Sequence, residues 1–131
     1  MSENPFSSFQ EQVDELLIRH HSFLDVTSKF QESGTRINRS LTKAVTECGC
    51  IRIDAQKQPY PTDAPRGEWR KHFKTHLSGR LCEQCLETVQ TEIGKNLFYL
   101  TALCNLLEIS LPEVMEKESK KLTTLGVFNL R

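Results

Sequence analysis

The feature that most restricts this chain is a run of apolar residues, Cys82, Leu86, Val89, Ile93, Leu97, Leu100, Cys104 and Leu107, that holds helical spacing for about seven turns. It predicts one long amphipathic helix beginning near Gly79. Shorter stripes accompany it. Phe9, Val13, Leu16, Leu17 and Leu24 predict a first helix, broken near His20 and His21 and stopped by Ser33 and Gly34. Ile37, Leu41, Ala44, Cys48, Ile51 and Ala55 predict a second, ending before Pro59, which cannot continue a helix. Ser110 and Glu113 form a capping box for a fourth, with Leu111, Val114, Met115, Leu122 and Leu125 as its buried face and Gly126 as its stop. Between the second and third helices, residues 58–67 carry three prolines and a glycine and read as an irregular surface connection. Ile51-Arg52-Ile53 alternates like a strand but has no evident partner. The expected architecture is therefore all-α, a four-helix bundle forming a single domain over residues 1–131.

Lys plus Arg and Asp plus Glu both number 17, so no global field draws the chain to nucleic acid or to an anionic membrane. No apolar run approaches the roughly 20 residues of a membrane helix, and the MSENPFSSFQ start lacks a signal pattern; the expected compartment is the cytoplasm. In that compartment the five cysteines read as thiols, metal ligands or core residues rather than as a disulfide framework.

At 100° per residue, Glu47, Cys50 and Asp54 share one edge of the second helix, and Cys85, Glu92 and Asn96 share one edge of the third. Facing each other, these edges would form a metal-binding cluster: Mg²⁺ or Mn²⁺ if carboxylates dominate, Zn²⁺ if thiolates do. Cys48-x-Cys50 and Cys82-x-x-Cys85 supply enough thiolates for a tetrahedral zinc site. A continuous second helix, however, separates Cys48 from Cys50 by about 200°. Because Ile51 and Ala55 continue the stripe of Cys48, that residue is expected in the core. The smaller ligand set is then Glu47, Cys50, Cys82 and Cys85, with His72 or His76. The segment around His72 is basic and reads as a solvated face, although Lys74 could meet phosphates and Trp69 could stack on a base.

Two motifs carry a family resemblance. The sequence reads TECGCI over 46–51 and EIGKNLFYLTALCNLLEISLPEV from Glu92, which resembles the MazG-type all-α nucleoside triphosphate pyrophosphohydrolases. That family places an E-x-x-E pair on one helix and an E-x-x-D pair on a later one. The resemblance implies a nucleotide ligand, Mg²⁺ held by carboxylates, catalytic roles for Glu47 and Glu92, substrate contacts near Lys95 and Asn96, and a bundle completed by a neighbouring subunit. Cys50 and Lys95 stand where the second acid of each pair belongs, which weakens Mg²⁺ binding and makes a diverged member the expectation. The alternative is a noncatalytic zinc-binding structural or regulatory protein. Phe98, Tyr99 and Leu103, flanking the long stripe, also favour a homo-oligomer.

Overall fold

A computed structural model describes residues 4–17, 22–60, 62–63, 65–71 and 73–125. His20, His21, His72 and Gly126, to which the sequence assigned a helix break, a candidate ligand and a helix stop, lie outside the described residues. The described residues are mostly helical, with four α-helices and one small two-stranded sheet among them: α1 (Pro5–Leu16), α2 (Phe23–Lys43), β1 (Ile51–Ile53), β2 (Leu77–Gly79), α3 (Glu83–Leu106) and α4 (Leu111–Leu125). Helix starts follow local chemistry. The Asn4 side chain accepts the Phe6 N–H at 2.9 Å, with Pro5 in the first turn, and Ser22 Oγ faces the Asp25 N–H at 3.5 Å. The expected cap of α4 forms, the Glu113 N–H donating to Ser110 Oγ at 3.4 Å.

The central pair is α2 and α3, and two boundaries of α2 differ from expectation. The helix runs straight through Ser33 and Gly34, because this segment packs on α3. Ser33 is buried, its hydroxyl donates to the Phe30 carbonyl and accepts from Asn96 Nδ2 at 3.1 Å, and a methyl at Gly34 would already touch that amide. Tertiary packing thus overrides the two weak helix formers. At its other end α2 stops short of residue 55, and Ile51–Ile53 finds the missing partner: β1 pairs antiparallel with β2, Ile51 opposite Gly79 and Ile53 opposite Leu77. The long connection between the strands returns at His76. There the Asp54 N–H donates to the His76 carbonyl at 2.8 Å, and Gln58 bonds both the N–H and the carbonyl of Lys74.

The core sits at the other end of the helix pair, where Val13, Leu17, Val26 and Ala102 are buried under Phe9, Phe98, Leu103 and Leu106. Val26 is completely enclosed. Truncating it in Val26→Ala should cost about 2 kcal/mol, a transfer loss plus a small cavity, read by urea unfolding; a loss below about 0.5 kcal/mol would show that this core is loosely packed. The α3–α4 corner is clamped from α1. Gln10 Nε2 donates to the Ile109 carbonyl at 2.7 Å, Gln10 Oε1 accepts the Leu111 N–H at 2.9 Å, and the Ile109 N–H returns to the Cys104 carbonyl at 2.8 Å. From this corner α4 leaves the axis of α3 at 104°.

Candidate metal centre

The C-terminal end of α2 widens into one turn of π-helix, Ala44–Cys48, closed by the Gly49 N–H reaching the Ala44 carbonyl at 2.8 Å. Gly49 follows at φ 78°, a left-handed conformation that favours glycine and reverses the chain. The reversal removes the 200° divergence that a continuous helix would impose. Cys48 is therefore not a core residue: it is exposed, and its sulfur joins that of Cys50 in one cluster. Cys50 leads directly into β1. Register does the rest. Ile51 lies opposite Gly79, three residues before Cys82, so the hairpin carries the second cysteine pair back to the first.

Cys82 is the N-cap of α3, its sulfur accepting the Cys85 N–H at 3.4 Å. The four sulfurs of Cys48, Cys50, Cys82 and Cys85 all lie within 4.8 Å of one another, and Cys48 and Cys82 approach to 3.7 Å. A zinc ion bound by four thiolates at about 2.3 Å requires sulfur–sulfur edges of about 3.8 Å. The cluster is thus close to ligand geometry, and all four thiols are free of disulfides. Their protons are shared unequally. The Cys85 N–H, at the positive end of a 24-residue helix, holds the Cys82 thiol down at about 7. Hydrogen bonding to Cys82 and burial push Cys85 up to about 12, and the bond to Cys82 also raises Cys48. Adjacent thiols resist a second negative charge unless a cation arrives to share it.

The other candidates are spread along the groove between α2 and α3 or lie outside it. Glu47 borders the groove beside Cys48 and Cys85. Farther along, Glu92 lines a stretch of about 460 Å³ with Glu32, Arg36, Arg39 and Lys43. The Glu92 carboxylate pairs with Lys95 at 3.7 Å through one oxygen, and its other oxygen is buried with no hydrogen-bond partner among the described residues. Asn96 is engaged in the helix interface through Ser33. Asp54 does not share a helical edge with Glu47 and Cys50, since the helix has ended; it lies past β1, where its backbone pairs with His76. His76 is not part of the cysteine cluster: at φ 61° its ring faces Gln58 Nε2 at 2.9 Å and the Asp54 carbonyl at 3.2 Å. The Gln56 N–H donates to His76 Nδ1 at 3.1 Å, so the long connection holds the ring at both nitrogens. Trp69 packs edge-on and tilted against Tyr60 and Phe73, with centroids 5.8 and 6.0 Å away, in the long connection that also carries Lys74.

Cys48 is the candidate ligand that periodicity misplaced, and the signal for it was Gly49, flanked by cysteines on both sides. Comparison with protein-family models, with curated proteins and with solved structures finds no match.

Proposed function

We propose that this is a zinc-stabilised helical protein in which Cys48, Cys50, Cys82 and Cys85 hold one Zn²⁺ and fix the hairpin to the ends of α2 and α3. The observation that carries this reading is the mutual approach of all four sulfurs within 4.8 Å. Four protein thiolates complete a tetrahedral shell and leave no position for water or substrate, so the ion is structural and not catalytic. Its role is to hold the groove walls and the long connection in register, as suits a binding or regulatory protein. Elemental analysis of untagged protein purified under reducing conditions tests the proposal. About one zinc per chain is expected; protein that arrives metal-free and takes up no added Zn²⁺ would overturn it.

One observation favours a second reading. Glu47 and Glu92, the two acids retained from the MazG-like motifs, border adjoining stretches of one groove, and both stretches share Ser40, Lys43 and Thr88. A diverged MazG-like scaffold would there bind, or slowly hydrolyse, a nucleotide. Release of pyrophosphate that depends on Mg²⁺ or Mn²⁺ and disappears in Glu92→Gln is the expected result. Lys95, paired with Glu92, places a cation where that chemistry needs a carboxylate and lowers the expected rate.

A further inference from the structure

Four sulfurs close enough to share one ion are also close enough to bond to each other, and their surroundings are not alike. Cys48 is the exposed member, while Cys50, Cys82 and Cys85 are each partly covered. Cys48 precedes the turn at Gly49, where an added methyl would meet nothing within 4 Å, and with Cys85 it lines an open groove of about 430 Å³ at the end of α2. A small oxidant arriving from water therefore meets Cys48 first.

Contact then selects the partner. Cys48 Sγ meets Cys82 Sγ at 3.7 Å. The Cys50 thiol instead turns back to the Ala44 carbonyl at 3.9 Å, and β2 closes over the Cys50 backbone where Gly79 approaches its carbonyl. Cys104, the fifth thiol, is buried near the far end of α3, about 33 Å along the helix from Cys82, and takes no part.

We propose that Cys48 and Cys82 form a reversible disulfide and that making this bond expels the zinc. The expulsion rests on the zinc reading above; the bond itself does not. With a peroxide as oxidant, the Cys48 thiolate attacks one oxygen, the O–O bond breaks, hydroxide leaves, and Cys48 becomes a sulfenic acid. The Cys82 thiolate then attacks the Cys48 sulfur, the S–S bond forms, and the S–O bond breaks with loss of a second hydroxide. Two thiolates have lost two electrons to one peroxide, and both hydroxides take protons from the medium and leave as water. Zinc keeps only Cys50 and Cys85, half of a tetrahedral shell, and departs as those sulfurs take up protons. A dithiol reductant returns the two electrons by thiol–disulfide exchange and restores the site.

The exchange keeps the helices together. The disulfide joins the end of the π-turn that follows α2 to the N-cap of α3, positions 34 apart in sequence and the same two points that the ion ties. What oxidation frees is Cys50, and with it the start of β1.

Zinc-loaded wild-type protein treated with stoichiometric hydrogen peroxide tests this. A chromophoric indicator follows the metal, and free thiols are alkylated before peptide mass mapping. The expected result is loss of the bound zinc in step with a crosslink between the Cys48 and Cys82 peptides, with Cys104 still reduced and the thermal midpoint well above that of chelated, reduced protein. A dithiol with added zinc should reverse every change. The same mapping on zinc-stripped wild type and on zinc-stripped Cys85→Ser should give the same crosslink, because the sulfur contact does not require the ion. A Cys48–Cys50 or Cys82–Cys85 crosslink in its place, or a Cys82 that stays free, would overturn the disulfide site. A Cys48–Cys82 bond that forms with zinc still held would overturn the expulsion. Protein that never holds zinc yet joins Cys48 to Cys82 would sink the zinc reading alone and uphold the bond.

Discussion

Replacing Cys82 and Cys85 together by serine is expected to leave the protein with less than about one-tenth of an equivalent of zinc and to lower its thermal midpoint by roughly 10 °C or more. The size of the effect follows from what else holds this region. The sheet has two strands of three residues each, too short to persist unaided, and β2 is exposed along its whole length. The connection between them spans 23 residues from Asp54 to His76, and its closure is unfavourable until something ties the ends. Serine keeps a good N-cap at position 82, so α3 retains its first turn and the variant isolates loss of the metal from loss of the cap. Chelation of wild-type zinc should produce the same midpoint as the double variant. A midpoint that chelation does not move would show that the ion contributes nothing to folding.

The same site should depend on pH in one direction. Without metal, Cys82 loses its proton near 7 and Cys85 not until about 12. Zinc requires thiolates, so its binding expels the protons still held, that of Cys85 throughout the neutral range, and affinity rises as pH rises. Below about 7 Cys82 is protonated as well, and the ion must then displace its proton in addition to that of Cys85. Potentiometric titration of proton release on zinc addition measures this directly.

Much of this architecture was legible in the sequence because its signals are local and repeated. The long stripe marks α3, although the helix starts at Glu83 and not near Gly79, which β2 takes, and Ser110 with Glu113 marks the start of α4. The misreadings share one cause, which is that a local signal was decided by a distant partner. Ser33 and Gly34 look like a stop, yet Asn96, 63 residues from Ser33, turns them into a contact surface. Ile51 to Ala55 fits the helical period, yet Leu77–Gly79 draws Ile51–Ile53 into a hairpin. With a helix assumed there, Cys48 and Cys50 had to diverge. Three residues of strand carry no periodicity that separates them from a helix edge, and the pairing partner contains no alternation to betray it.

Gly79→Ala is expected to destabilise the metal-free protein by about 3 kcal/mol or more and to weaken zinc binding, whereas Gly49→Ala should cost only about 1 kcal/mol. Both glycines lie at positive φ, 85° and 78°, so both substitutions carry the same left-handed strain. They differ in what surrounds them. A Cβ at Gly49 would meet nothing within 4 Å, while one at Gly79 would be driven into the backbone carbonyl of Cys50. That carbonyl cannot retreat without moving a ligand. Gly79 is paired with Ile51, and this register alone brings the first cysteine pair to the second, so the strand that yields to the new methyl carries Cys50 away from Cys82. Urea unfolding in chelator reads the strain, and competition with a chromophoric zinc indicator reads the displacement. If the two alanine variants behave alike, the close approach at Gly79 is not what sets the geometry of the four sulfurs. If only Gly79→Ala loses zinc, the hairpin register is the part of the fold on which the metal centre depends.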